Sequence, residues 1–474
     1  MPSPSSRFES IGAEVVPEDQ RTDEARVLFW IWFAAGLNLL AITFAGSLLW
    51  VWKVNFVQAV LVMTAALLVA MALLGVISIA GKWGGAHTLL LSRAPFGLKG
   101  AVLPTFFSFL SLAGFEAIME ITAVYAAGSI AGRLGIEDSD LFRAIVLAAT
   151  VLIIASVATI GHATLLKAQR YFSFALAIGS IPFLILILTQ ADWGAVSGLH
   201  TGTLVELGAA FTVILSFIGT GWWNSGADYS RYIRPTAAGR SVFWLVVAAT
   251  ASTLAFLFAG LVPAAETPSM ATAANPVTAI TARIPTWFLI PYFALAICSI
   301  IPGAVVNYYS GALNLGALGF KFGRVTAAIL FGLIAVSVDV YVLFISSSFF
   351  GPLNAALVLF GAVISAWTGV FIADMVLLRG RLGYSADGLS GTSARYGHYN
   401  MLGLTAFVIA SVIGIGCVSS TQAGFTWMGF ILGADSDLAQ AGVGVPLAMI
   451  VGAAIYGVVT LLRGLSAKSH VAAE

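Results

Sequence analysis

Runs of about twenty consecutive apolar residues recur along most of this chain, and no other feature limits its fold so tightly. A helix needs roughly 20 such residues to cross a hydrocarbon core ~30 Å thick. Backbone inside lipid must also satisfy its own hydrogen bonds, which leaves only helices and closed barrels. Continuous apolar runs, rather than strict alternation, select helices. Twelve spans are expected, at about 27–52, 56–80, 101–131, 142–161, 169–190, 206–233, 241–263, 286–315, 324–344, 350–377, 401–419 and 443–463. The charge count agrees. Of 474 residues only 9% are charged and 59% are hydrophobic, with a mean hydropathy of +0.98, where soluble domains carry about 25% charge. That composition excludes a soluble multi-domain enzyme and predicts an all-α, polytopic membrane protein.

Cys298 and Cys417 lie far apart in apolar stretches, so neither a disulfide framework nor a metal cluster is expected. A net charge of +1 without a basic run gives no sign of a nucleic-acid partner. No Walker-type nucleotide loop is present, which argues against ATP drive, and no nucleophile–base arrangement suggests an enzyme. No cofactor is expected. The first 26 residues lack the basic-then-apolar order of a secretion signal and read as a cytosolic tail. With that tail inside, Lys and Arg fall 18 on the cytosolic side against four outside, namely Lys53, Arg133, Arg143 and Arg283. The bias places both termini in the cytosol, with residues 27–463 as one integral domain of a cell (inner) membrane protein and 464–474 as a second tail.

Two spans contain interruptions at mid-membrane. The first carries Ala34-Ala35-Gly36-Leu37-Asn38, and the sixth carries Ile218-Gly219-Thr220-Gly221-Trp222-Trp223-Asn224. Backbone that leaves a helix inside the bilayer is tolerated only where it lines a protein cavity. Matched interruptions five spans apart point to a transporter built from inverted repeats, with its site at the repeat interface. The competing reading is that these glycines only let helices pack closely, as Gly128-x-x-x-Gly132 does by its spacing.

Several segments together carry a resemblance. The tail GAEVVPEDQRT, the first-span WFAAGLNLLAITFAG, LLSRAPFGLKGAVLPTFFSFLSLAGF entering the third span, GWWNSGADYSRYIRP ending the sixth and NYYSGALNL in the eighth resemble the nucleobase–cation symporter-1 family. D-Y-S-R-Y is the most specific of these matches. The resemblance implies five-plus-five inverted repeats (about 27–190 and 206–377) followed by two extra helices (about 401–463), a fold shared with amino-acid and neurotransmitter symporters. It also implies import of a small planar heterocycle held between an aromatic of the third span and one of the sixth. A heteroaromatic ring stacks on a π-face while amide edges read its donors and acceptors.

By motif position the third-span aromatic is Phe115, and the sixth-span partner is Trp222, with Trp223 as the alternative. Asn307, which opens NYYSGALNL, occupies the ring-contacting amide position. Asn38 and the backbone at Gly36, Gly219 and Gly221 are further candidates for substrate hydrogen bonds. Sodium-coupled members use a Ser/Thr pair five and six residues before that Asn. Here those positions are Ile301 and Pro302, without hydroxyls, and Ser299 lies on another face. A hard cation needs oxygen ligands, so the sodium site is not carried over, although sodium stays open as a coupling ion. The third span instead carries Glu116 and Glu120 one helical turn apart. Acids inside a membrane mark ion or proton pathways, and two neighbouring carboxylates in a low dielectric cannot both remain ionised cheaply. Proton symport through Glu116 or Glu120 is therefore expected, with one of the two open to a plain hydrogen-bonding role. Asp339 is a weaker candidate. Asp228 and Arg231 of D-Y-S-R-Y are expected at the cytosolic end of the sixth span, as an intracellular gate or a structural salt bridge.

The expected function is import of a nucleobase (cytosine or a purine) or related heterocycle, by a monomer in the lipid bilayer. The alternatives are a hydantoin, allantoin or thiamine permease, an amino-acid symporter of the same architecture, and a channel or receptor.

Overall fold

The computed structural model describes residues 12–37, 39–160, 162–271, 275, 277, 284–320, 322–346 and 350–471. It is built of helices, and among the described residues the single β contact is one bridge between Asp23 and Ile233. Nine described helices are long and apolar enough to cross a membrane, and a bent pair brings the number to ten. Two shorter apolar helices, Phe174–Thr189 and Met401–Gly416, lie at the expected fifth and eleventh spans.

The bent pair is the first span. Helix α1 (Arg26–Gly36) and α2 (Leu39–Trp50) meet at 60°, with Leu37 outside helical geometry at the junction. Gly36 ends α1 where the chain presses on Ser252 and Thr253. A Cβ there would strike both hydroxyls and sit 3.0 Å from the Thr253 backbone nitrogen. Helix α3 (Phe56–Gly84) starts from an Asn55–Gln58 capping box and stops at Gly85, whose φ of +60° a side chain would resist.

The third span is α4 (Val102–Arg133), followed by α5 (Asp140–Ile160) and α6 (His162–Thr189). The sixth begins as α7 (Leu204–Trp222) from a second capping box, Thr203–Glu206. The two boxed starts are tied together, since Gln58 Nε2 donates to the Gly202 carbonyl at 2.9 Å and Gln58 Oε1 accepts from Gly202 N at 2.7 Å.

Helix α7 does not run through. After Trp222 the chain takes one tight turn, Trp223–Ser225, and resumes as α8 (Gly226–Ser230). The break thus lies just past the two glycines, and Gly219 and Gly221 themselves are inside regular helix. Side-chain hydroxyls add hydrogen bonds at the turn. Ser78 Oγ of α3 donates to Gly226 O at 2.9 Å, and Ser225 Oγ donates to Trp222 O at 3.1 Å.

The remaining spans are α9 (Gly239–Ala248) with α10 (Thr250–Glu266), α11 (Thr286–Ala317), α12 (Arg324–Phe344), α13 (Phe350–Asp374), α14 (Met401–Gly416) and α15 (Gly444–Val471). Helix α15 extends through most of the segment assigned to the C-terminal tail. Packing sorts the spans into groups. The first, second, sixth and seventh associate through α2–α10, α3–α7, α3–α8 and α3–α9 contacts. The third, fourth, eighth and ninth associate through α4–α11, α4–α12 and α4–α5, and the last three spans pack on one another as α13, α14 and α15. Large apolar side chains such as Leu61, Leu141, Leu152, Leu333 and Ile450 point outward, as a lipid-facing belt requires.

On the side where α3 ends and α4 begins, the N-terminal segment lies across the bundle. Val16 N donates to Gly85 O at 2.7 Å, Asp23 N to Tyr232 O at 2.9 Å and Arg234 N to Asp23 O at 3.0 Å.

Candidate substrate and coupling site

The site sits where α4 of one helix group faces α7 of the other and α11 runs alongside. Phe115 of α4 is 6% exposed, with its ring 5.9 Å from that of Phe217. Gly221 supplies the room for it, since a Cβ there would come within 3.1 Å of the Phe115 ring. Trp222, 4% exposed at the end of α7, leans on Trp32 of α1 at 5.5 Å between centroids. The break in the sixth span therefore begins at the residue whose indole is the candidate ring partner.

Trp223 turns away. Its Nε1 donates to Ala70 O of α3 at 2.8 Å, and the indole folds back over Gly219, where a Cβ would lie 2.7 Å from the ring. It is thus an anchor of the break rather than a second stacking face. Gly219 offers no free backbone either, because its carbonyl accepts from Trp223 N. Of the three candidate backbone positions, Gly219 thus has its carbonyl engaged, and all three glycines permit close approach, Gly36 to α10, Gly219 to Trp223 and Gly221 to Phe115. Asn38 lies outside the described residues.

The carboxylates face α11. Glu116 and Glu120 are both fully buried. Asn307 Nδ2 donates to Glu116 Oε2 at 3.1 Å, while Asn307 Oδ1 and Glu116 Oε1 have no hydrogen-bond partner. The Asn307 amide and the carboxyl beside Phe115 are thus one hydrogen-bonded unit with two vacant acceptors. One turn further on, Tyr308 OH donates to Glu120 Oε1 at 3.3 Å.

Asp339 of α12, expected to be satisfied by some neighbour, is buried with no donor to either oxygen, and its carboxyl meets that of Glu120. Among the described residues no Lys or Arg pairs with any of the three acids. Nor are three His, Cys, Asp or Glu placed there to hold a metal ion. Two carboxyls facing each other without a cation, inside a low-dielectric bundle, repel each other when both are ionised.

Three groups escaped the sequence reading. Tyr308 stands next to Asn307, but its bond to Glu120 depends on how α11 rotates against α4. Asn224 and Asn314 are both fully buried and converge on Ser108 of α4. Asn224 Nδ2 reaches Ser108 O at 3.4 Å, and Asn314 Nδ2 reaches Ser108 Oγ at 2.8 Å. Asn314 follows Asn307 by two helical turns, a spacing that places both amides on the α4-facing side.

At the end of the sixth span Asp228 and Arg231 do not pair with each other. Asp228 Oδ1 accepts from Thr88 N at 2.8 Å and Thr88 Oγ1 at 2.7 Å, fastening the turn after α3. Arg231 donates to Gly12 O at 2.9 Å and to Tyr309 OH at 2.7 Å. It thereby joins the N-terminal segment to α11.

Residues 15–440 match the family described as permeases for cytosine/purines, uracil, thiamine and allantoin. The chain belongs to this family. It is therefore a multi-pass membrane permease and not an enzyme. Among curated proteins, the putative purine-cytosine permease YxlA of Bacillus subtilis (strain 168) is 26% identical over 242 residues, which cover 50% of this chain and 50% of that protein. The match thus spans about half the length of that relative. Among solved structures, Mhp1, a nucleobase-cation-symport-1 family transporter in a closed conformation with bromovinylhydantoin bound, superposes with a TM-score of 0.68 at 18% identity, over 94% of this chain and 95% of that one. A Na+-coupled sialic acid symporter in a substrate-bound outward-open state reaches 0.63 at 11% identity, covering 93% and 91%. A manganese transporter of Eremococcus coleocola reaches 0.57 at 14%, covering 96% and 99%. At these identities the likeness to solved structures is one of fold.

Proposed function

We propose that this permease imports a nucleobase, cytosine or a purine, or a related planar heterocycle, by proton symport around a midplane site between Phe115 and Trp222. The family and the relatives named as purine-cytosine and hydantoin-binding proteins support the substrate class. In this reading the chain crosses the cell membrane twelve times with both termini in the cytosol, five-plus-five inverted repeats precede two extra helices, and the working unit is a monomer. The grouping of the first, second, sixth and seventh spans against the third, fourth, eighth and ninth supports the repeat, since each pair recurs five spans later.

The observation that carries the coupling is the Asn307–Glu116 hydrogen bond. While Glu116 is ionised, its charge holds the Asn307 amide more strongly than a neutral acceptor would. A proton arriving on Glu116 weakens that hold and lets the amide turn its donor and its vacant Oδ1 to the ring edge. Proton and substrate then favour each other's binding, and the coupling acts equally in both directions. Glu120 and Asp339, with Tyr308 between α11 and α4, supply the next proton positions. Ile301 at a would-be sodium-ligand position, without an oxygen, supports the proton over sodium.

The test is a pair of assays on Glu116→Gln in proteoliposomes. Gln keeps a hydrogen-bonding partner for Asn307 and cannot carry a proton. Exchange of labelled for unlabelled substrate should persist, whereas accumulation driven by an inward proton gradient should fall at least ~10-fold. Undiminished proton-driven accumulation in the variant would remove Glu116 from the mechanism.

A further inference from the structure

The last three spans form a cleft that the transport site does not use. It lies just past the end of α13, beside Tyr456 and Arg463 of α15 and at the start of α14, has a volume of about 420 Å³, and is lined by Arg379, Arg395 and Arg463 together with Tyr396, Asn400 and Met401. Arg379 is the fixed wall. It is buried, its Nε and Nη2 donate to Asp374 at 2.9 and 3.2 Å, and its guanidinium lies 5.2 Å over the Tyr396 ring. Tyr456 OH also donates to Asp374, at 2.8 Å. One positive charge is thereby neutralised within the protein.

The other two are not. Arg395 and Arg463 are exposed, and among the described residues neither has a carboxylate partner. Two uncompensated guanidinium groups beside a third held rigid make a fork for a phosphate diester. The cleft is also at the right height. Arg379 and Arg463 lie at the ends of the candidate spans Gly351–Leu382 and Gly444–Arg463, on the side where basic residues concentrate. On its apolar side the cleft is bordered by Met401, 66% exposed, with Leu402 and Leu378 beside it. A free anion has no use for that side, whereas acyl chains attached to a phosphate would lie along it.

We propose that this cleft binds the headgroup of an anionic phospholipid of the cytosolic leaflet, its phosphate on Arg395 and Arg463 and its chains over Met401 and Leu402. Basic pockets between spans on the cytosolic side are recognised headgroup sites in general. Here the bound lipid would bridge α14 and α15.

The experiment uses the full chain, delipidated in a neutral detergent, and reads lipid adducts by native mass spectrometry alongside thermal stability. Phosphatidylglycerol should give retained adducts and raise the melting temperature, and phosphatidylcholine should do neither. The double variant Arg395→Gln/Arg463→Gln should bind phosphatidylglycerol roughly 30-fold more weakly, because each guanidinium contributes about a tenfold or smaller factor at such a surface. Arg395→Lys/Arg463→Lys should keep most of the binding. Equal adducts in the Gln double variant, equal retention of phosphatidylcholine, or the same thermal shift from inorganic phosphate alone would each overturn the assignment.

Discussion

Phe115 and Trp222 come from helices in different groups, and each is backed by a further ring, Phe217 and Trp32 respectively. In the proposed site that support would fix the plane of each face before a substrate arrives, which would lower the ordering cost of stacking. Phe115→Ala and Trp222→Ala should each abolish saturable uptake with membrane abundance unchanged, since stacking is worth ~1–3 kcal/mol per ring. Trp223→Phe should behave differently. It removes the donor to Ala70 O, costs ~1–3 kcal/mol of stability and leaves the substrate competition profile unaltered. A binding assay paired with thermal unfolding distinguishes the two outcomes, and an altered profile for Trp223→Phe would move it into the site. His87 supplies a pH dependence outside the spans. Burial first, then the positive charges of Arg231 and Arg93, hold its imidazole well below its usual range. The neutral form is thus favoured in the folded state, and the stability it confers is complete above about pH 6.5 and lost as pH falls below it. As the pH falls from about 7.5 to about 5.5 the folded protein should lose stability through this group. His87→Gln should flatten the pH dependence of the melting temperature, and an unchanged slope would clear His87 of the role.

At the scale of elements, the two broken spans were unequally legible. In the first, Ala-Ala-Gly followed by an amide marks the place where α1 stops, and α2 does restart at an angle there. In the sixth, the glycines drew attention to a segment that is regular helix, because they are needed for the rings of Trp223 and Phe115 to lie close. The real break, Trp223–Ser225, is stabilised by Ser78 and Ala70 from a helix about 150 residues away. No local pattern announces partners that distant. For the same reason the acid pair on α4 was visible as an i,i+4 spacing, whereas Tyr308, Asp339 and the amides on Ser108 depended on the rotation of α11, α12 and α8 against α4. The element-scale prediction follows from the borrowed cap. Ser78→Ala should remove one of the donors to the Gly226 carbonyl and cost about 1 kcal/mol, while Gly226→Leu, whose Cβ would lie 2.9 Å from Leu74, should push α8 off α3 and lower folded yield further. Thermal unfolding of both variants tests this, and wild-type stability in Ser78→Ala would show that the break is held by other means.

Over the whole molecule, the composition and spacing of apolar runs made the membrane class plain, and the motif order made the family plain. What they left open was which side chains meet beside Phe115. The structure answers with one chain of contacts inside the group of the third, fourth, eighth and ninth spans, Phe115 next to Glu116, Glu116 to Asn307, and Tyr308 to Glu120, with Asp339 against Glu120. Arg231 ties the N-terminal segment to α11 through Gly12 and Tyr309. In the proposed mechanism alternating access is a rocking of one helix group against the other. The most direct check is to record pH inside proteoliposomes with a trapped indicator while a substrate gradient is imposed without sodium. The account predicts inward proton movement in step with substrate for the natural chain and none for Glu116→Gln. Substrate entry that requires sodium and leaves the internal pH unchanged would contradict it.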